Sequence, residues 1–303
     1  MAKILVCDKV SQKLIDGIQQ MGHEVLYKTG MDEDELVKTV PGFNAMVVRS
    51  ATKVTEKVID AGLGSLKVII RAGVGIDNIK HEYAKSKGID VRNTPAASSP
   101  SVAELAIAHM FSVYRFVARS TWRLRKGDDF KKIKKESQGH ELFGKTLGII
   151  GIGRIGREVA WRAHALGMKI IAHDPYITDP GLDYVEMVSL DDLLARADII
   201  TLHVPKTEKP IIGREEIAKM KDGAVIINTA RGGVVDEEAL LEALNSGKLW
   251  GAGIDVWLNE PNINPELMNH PLVSATPHLG ATTSEAQDRI GEEVLKIIKE
   301  YFG

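Results

Sequence analysis

The stretch Leu147-Gly148-Ile149-Ile150-Gly151-Ile152-Gly153-Arg154-Ile155-Gly156 constrains this chain most, through its central position and through what surrounds it. An apolar strand runs into Gly-x-Gly-x-x-Gly, residues 157–166 read as helix, and a second apolar run, 168–172, ends at His173-Asp174-Pro175. These are, in order, the parts of a βαβ unit that binds a dinucleotide. Gly151 permits the tight turn, Gly153 the approach of a pyrophosphate, and Gly156 close packing of helix on strand. Arg154 and Ile155 open a helix whose free N–H groups and positive dipole end face the phosphates. Asp174 lies 18 residues beyond Gly156, where a carboxylate accepts from the adenosine ribose hydroxyls. That carboxylate repels a 2′-phosphate, and no Arg or Lys immediately follows it, so the cofactor is read as NAD rather than NADP.

A complete unit precedes this fingerprint. Strands at residues 4–7, 24–27, 45–49, 68–71 and 89–93 alternate with helices at 11–21, 32–40, 55–61 and 81–87, the rhythm of a parallel α/β domain. Residues 94–100, with two prolines among small residues, form a natural boundary. A helix follows over 101–126, opened by Ser101 and Glu104 at capping-box spacing and stopped by Gly127. Further strands read at 146–150, 169–172, 199–203, 224–228 and 251–255, with a last amphipathic helix at 284–301. A fingerprint halfway along implies an insertion. The fold class is therefore α/β, with two Rossmann- or flavodoxin-like parallel-sheet domains. A nucleotide-binding domain, 98–280, is inserted into a discontinuous substrate-binding domain, 1–97 plus 281–303. Ligands of such sheets bind at strand carboxyl ends, so the site is expected in the interdomain cleft.

Composition narrows the classes. With 303 residues, 44% hydrophobic and 26% charged, the chain can build two ordinary cores, and a net charge of −2 makes no case for nucleic acid or membrane as a partner. The single cysteine, Cys7, excludes an internal disulfide and a cysteine-based zinc cluster, and no metal is expected. With no signal peptide at the start and no run long enough to span a bilayer, a cytoplasmic location is expected.

Three segments behind the fingerprint carry chemistry. The run Ile226 to Asp236 is an apolar strand ending in Arg231, with two glycines leaving room beside the guanidinium. Ile254 to Pro261 is another strand, ending in acids. Ala275 to Thr283 contains Pro277-His278. Singly, each has a bland reading: a surface charge, a turn, a loop histidine. Together, at three strand ends, they suit hydride transfer to or from a 2-hydroxy acid. Arginine grips a carboxylate through paired charged hydrogen bonds, histidine takes the hydroxyl proton, and glutamate orients and stabilises the imidazolium.

Gly148 to Gly156, Asn228 to Asp236, Asp255 to Pro261 and Pro277 to Thr282 resemble the signature segments of the D-isomer-specific 2-hydroxyacid dehydrogenase family, and the resemblance runs over essentially the whole chain. It implies Arg231, Glu260 and His278 as catalytic residues and Asp255 as the group that holds the nicotinamide carboxamide. Trp257 stands where the family usually has phenylalanine.

Val48 to Thr55, Arg71 to Asn78 and His278 to Gln287 most resemble the branch that oxidises D-3-phosphoglycerate to 3-phosphohydroxypyruvate at the entry to serine synthesis. The small-molecule partner is then a phosphorylated 2-hydroxy acid. Val74 and Gly75 present amides to its carboxylate, shared with Arg231, while Arg49, beside Ser50, takes the phosphate. A hydroxypyruvate, glyoxylate or D-lactate reductase is the alternative, and an NAD-sensing corepressor the remote one. Between Arg115 and Lys135, nine basic residues face two acidic ones. The resemblance implies a homodimer through the helix at 101–126, with Lys134 or Lys135 reaching a partner's cleft. The chain ends just after its last helix, so feedback through a further regulatory domain is not expected.

Overall fold

The computed structural model describes Met1–Gly303 and divides into two compact units, Met1–Ser98 with Ala281–Gly303, and Ser99–Gly280. In the first, strands β1 (Lys3–Val6), β2 (Glu24–Tyr27), β3 (Ala45–Val48), β4 (Val68–Arg71) and β5 (Asp90–Asn93) alternate with helices α1 (Gln12–Gln20), α2 (Glu33–Thr39), α3 (Glu56–Ala61) and α4 (His81–Ser86). They form one parallel sheet in the order β2-β1-β3-β4-β5. Successive side chains leave opposite faces of a strand, so β1 feeds two cores. Ile4 and Val6 pack with Leu14, Ile15 and Ile18 of α1 and with Ile290, Val294 and Ile298 of the C-terminal helix, Ser284–Phe302. Leu5 and Cys7 face Leu36, Val58 and Ile59 on the other side. Burial pushes the Cys7 thiol well above its ordinary range, so it packs as a small hydrophobe.

The second unit opens with α5 (Ser99–Tyr114), α6 (Val117–Arg125) and α7 (Phe130–Glu136). It continues through β6 (Thr146–Ile150), α8 (Arg154–Ala165), β7 (Lys169–His173), β8 (Val185–Met187), α9 (Leu190–Arg196), β9 (Ile199–Leu202), α10 (Arg214–Lys219), β10 (Ala224–Asn228), α11 (Glu237–Asn245), β11 (Leu249–Ile254), α12 (Pro265–Met268) and β12 (Val273–Ala275). The parallel sheet runs β12-β11-β10-β9-β6-β7-β8. The chain leaves β6 in one direction and returns on its other side as β9. The strand order therefore reverses between β6 and β9, where doubly wound sheets open a crevice at their carboxyl ends.

The helix expected over 101–126 is two helices. Phe116 takes a left-handed φ of +54° and the chain restarts as α6. Residues 139–140 press against the break: His140 N–H donates to Tyr114 O (3.0 Å), and a Cβ on Gly139 would overlap that same oxygen. Phe116 is buried, its ring 5.7 Å from that of Trp250. The expected capping box also fails. The helix starts at Ser99, with Pro100 in the first turn where a missing N–H costs nothing, and Ser101 Oγ donates to Gly280 O (2.7 Å) instead. Residues 130–136, where no helix is expected from the sequence, form α7. Asp129 caps it by accepting from Lys132 N–H, and Arg123 bridges Asp128 (2.7 Å) and Glu136 (2.6 Å).

Candidate active site and nucleotide loop

The loop after β6 has the shape its glycines predict. Gly151 has a φ of +91°, and a Cβ there would come within 2.5 Å of His203 O, at the end of β9. A Cβ on Gly156 would overlap the Gly151 carbonyl, whereas one on Gly153 would meet nothing within 4 Å. The loop is thus packed shut on the protein side and open at Gly153, the extended residue preceding Arg154 and Ile155 of α8. Asp174 Oδ2 accepts from Ile152 N–H (3.0 Å), and Oδ1 accepts from Tyr176 and Ile177 N–H (2.9 and 3.1 Å). This carboxylate braces the loop as well as facing it. Near the same strand ends, the hydroxyls of Thr207 and Thr229 and Nδ1 of His203 are buried without hydrogen-bond partners. Burial pushes His203 down to about 3, so its imidazole is neutral. An open glycine, a free helix N-terminus and orphaned hydroxyls at the switch point fit a dinucleotide. Thr207 and Thr229 were not anticipated from sequence; Thr229 lies within the Asn228–Asp236 motif, but no feature of Thr207 marks it in the sequence.

Arg231, Glu260 and His278 come together. Asn228 shapes the Arg231 turn by accepting from Ala230 N–H (3.1 Å) and donating to Arg231 O (3.0 Å). Arg231 Nη1 donates to Ala230 O (2.6 Å). Only a glycine fits at 232, because a Cβ there would overlap the Trp257 carbonyl, and this lets the Arg231 turn lie against the segment carrying Glu260. Glu237, at the start of α11, accepts from Leu258 N–H (2.7 Å) across the same contact. Glu260 Oε1 accepts from Trp257 N–H (2.9 Å), and Oε2 lies 2.8 Å from His278 Nδ1. Burial pushes the Glu260 carboxyl up, but the His278 and Trp257 hydrogen bonds and the charges of His278 and Arg231 prevail and hold it below its ordinary range. An ionised carboxylate only accepts, so Nδ1 of His278 carries the proton and Nε2 is left as the basic nitrogen.

Asp255, 1% exposed, holds the histidine loop. Its carbonyl accepts from His278 N–H (2.8 Å), Oδ1 accepts from Thr276 Oγ1 (2.6 Å) and Leu279 N–H (2.7 Å), and Oδ2 accepts from Gly280 N–H (2.9 Å). His278 itself has a φ of +57°, in the left-handed region that residues other than glycine adopt uncommonly, and these four bonds hold the loop there.

In the first unit, Arg49 follows β3. Its N–H donates to Asp8 Oδ2 and its Nη1 to Lys9 O (3.0 Å). Asp8 also accepts from Thr52 N–H (3.3 Å), while Asn78 Nδ2 donates to Arg49 O (2.7 Å) and Thr52 O (2.6 Å), so the turn carrying Ser50 is clamped from two sides. After β4, Gly73 has a φ of +146° and a Cβ there would collide with the Arg71 guanidinium. Asn93 Nδ2 donates to Val74 O (2.6 Å), and neither the Val74 nor the Gly75 N–H donates to another backbone group. Asp8 and Asn78 were missed in the sequence; both lie at strand ends or in quoted motifs, but only the fold shows which loop each one holds.

A doubly wound sheet with a fingerprint loop, an orienting carboxylate on a histidine and an adjacent arginine define an NAD-dependent dehydrogenase. Residues 107–280 match the D-isomer specific 2-hydroxyacid dehydrogenase family, NAD binding domain, and the chain belongs to this family. It is 54% identical over 276 residues to a hydroxypyruvate reductase of Thermotoga maritima, covering 89% of each chain. It is 47% identical over 306 residues to a D-3-phosphoglycerate dehydrogenase of Methanocaldococcus jannaschii, covering 99% of this chain and 57% of that one. The chain thus spans little more than half the length of the phosphoglycerate dehydrogenase. Among solved structures, a D-lactate dehydrogenase from Aquifex aeolicus, complexed with NAD and lactic acid, superposes with a TM-score of 0.83 at 31% identity, covering 98% of this chain and 95% of that one. The cofactor is NAD, and the substrates of the family are small 2-hydroxy acids. No helix is long and apolar enough to cross a membrane.

Proposed function

We propose that the chain interconverts D-3-phosphoglycerate and 3-phosphohydroxypyruvate with NAD. The observation that carries the chemistry is the Glu260–His278 pair at 2.8 Å beside Arg231. The N–H groups of the Gly153–Gly156 turn, with Arg154 and Ile155, hold the cofactor phosphates. Asp174 would hold the ribose, and Asp255 the nicotinamide carboxamide. NAD, when bound, would supply the acceptor for the hydride that leaves the hydroxyl-bearing carbon. His278 Nε2 takes the hydroxyl proton as that carbon becomes a carbonyl, and Glu260 stabilises the imidazolium that results. Arg231 orients the substrate carboxylate by charged hydrogen bonds. In the reverse direction the imidazolium returns the proton to the forming alkoxide.

The unit carrying Arg49 supports the phosphorylated substrate. Its guanidinium uses Nη1 on Lys9 O and keeps its remaining N–H groups for an anion, with Ser50 beside it and the Val74 and Gly75 amides turned to no backbone acceptor. The identity to a hydroxypyruvate reductase favours a second reading, in which the same machinery reduces the unphosphorylated keto acid. Rates of NADH loss with 3-phosphohydroxypyruvate and with hydroxypyruvate separate the two. On the first reading the phosphorylated substrate is strongly preferred, and Arg49→Ala raises its KM about 10- to 100-fold while leaving hydroxypyruvate unaffected. Equal or better use of hydroxypyruvate, indifferent to Arg49, establishes the second.

We infer in addition that two copies associate through α5 and α6, since Phe111, Val117, Trp122 and Leu124 all stand exposed there. Light scattering after size exclusion tests this, and a monomeric mass at micromolar concentration removes it.

A further inference from the structure

Among the buried, mostly apolar residues of α5 lies a histidine at 2% exposure. His109 faces the ends of β11 and β12, so close that a Cβ on Gly253 would lie 2.6 Å from its own Cβ. Its Nε2 is 3.0 Å from Thr276 Oγ1, and its Nδ1 is 2.9 Å from Ser274 Oγ, which is 2.9 Å from Ser112 Oγ. The direction of the first contact follows from chemistry. The Asp255 carboxylate only accepts, so the Thr276 hydroxyl donates to it, and Thr276 Oγ1 can meet His109 only as an acceptor. His109 then carries its proton on Nε2, and the Ser274 hydroxyl, which in its other rotation donates to Ser112 Oγ, turns its proton to Nδ1. Burial disfavours the charged imidazolium, partly offset by the charge of Asp255.

Thr276 is the junction between this buried imidazole and both members of the acid–base pair. Through its hydroxyl it reaches Asp255, whose carbonyl and carboxylate grip the backbone of residues 278–280. Through its carbonyl it accepts from Trp257 Nε1 (3.1 Å), and Trp257 N–H in turn holds Glu260 Oε1. We propose that His109 is a positioning residue for the reaction: its Nε2–H fixes the Thr276 hydroxyl on Asp255 and so sets His278 and Glu260 at their working separation. A side chain without that donor leaves Thr276 Oγ1 free to turn, and the histidine loop loses one of its constraints. The inference rests on His278 being the proton acceptor.

The test uses His109→Leu, His109→Gln, Thr276→Val and the double variant H109L/T276V in the full chain. His278→Gln serves as the control, and a glutamine at 109 keeps an N–H near the Nε2 position. Keto-acid reduction gives kcat and KM, NADH fluorescence gives Kd, and thermal melts confirm folding. We expect H109L to lower kcat roughly tenfold with KM for the keto acid and the Kd of NADH changed less than about twofold, because misplacing a base slows the reaction without loosening the ligands. H109Q is expected within about threefold of wild type, and H109L/T276V to be no worse than the poorer single variant, since both act through one contact. Undiminished kcat in H109L, equal loss in H109L and H109Q, or additive losses in the double variant overturns the proposal. If H109L fails to fold, T276V and H109Q carry the same comparison. An active H278Q would instead remove the acid–base reading itself, an outcome separable from failure at His109.

Discussion

Asp8 and Asp255 solve the same structural problem in the two units, and to different standards. Each stands just past the carboxyl end of a strand and accepts backbone N–H groups from the loop after a neighbouring strand: Asp8 from Arg49 and Thr52, Asp255 from Leu279 and Gly280. The second brace is far more elaborate. Asp255 adds its own carbonyl on His278 N–H and a hydroxyl from Thr276, backed by His109. The loop at Asp8 carries a long, adjustable guanidinium that, in the proposed function, has only to attract charge. The loop at Asp255 carries the residue proposed as the base, which must meet a proton at hydrogen-bond distance, at a positive φ. The number of constraints follows the geometric tolerance of the group delivered.

His278→Gln should produce the largest effect. With the base removed but the fold and NADH binding intact, kcat should fall about 10²- to 10⁴-fold, measured in steady state alongside NADH fluorescence. Retained turnover would cancel the distinction between a precise loop and a tolerant one. Next come the braces themselves. Asp255→Ala leaves three donors without their carboxylate and should destabilise the chain by about 3 kcal/mol or more as well as abolish turnover. Asp8→Ala removes two donor contacts from a turn that Asn78 still clamps, and should raise KM for the phosphorylated substrate severalfold at nearly unchanged kcat. Equal kcat losses in the two variants would break the comparison.

The smallest effect concerns pH. Glu260 is held below its ordinary range in the fold, so the unfolded chain binds its proton at higher pH than the folded one does. Its contribution to stability is present above the ordinary carboxylate pKa and is lost as pH falls through the folded value. Urea midpoints measured from neutral to acid pH should therefore fall less steeply in Glu260→Gln than in wild type. The pair is more than a third exposed, so solvent screens the difference and it should be modest.

Much of the fold was legible because parallel strands buried on both faces read as short apolar runs, and the glycine fingerprint marks its own loop. The helix expected at 101–126 was misread because its periodicity continues through Phe116. The break there comes from residues 139–140 and Trp250, distant in sequence. The helix at 130–136 was missed because its stabilising clamp, Arg123 with Asp128 and Glu136, reads only as a charge run.

The sequence by itself determined the parallel α/β class, the nucleotide loop, the preference for NAD, and the order Arg231, Glu260, His278 at three strand ends. These depend on local periodicity and on residue types whose chemistry is the same wherever they stand. Only the tertiary structure decided that Asp255 grips the histidine loop, that Glu237 ties the segment carrying Glu260 to α11, and that His109 lies against Thr276, 167 residues away in the chain. Hydrogen-bond partners separated by that length of chain leave no periodic trace, because what selects them is which helices and strand ends the fold packs against one another.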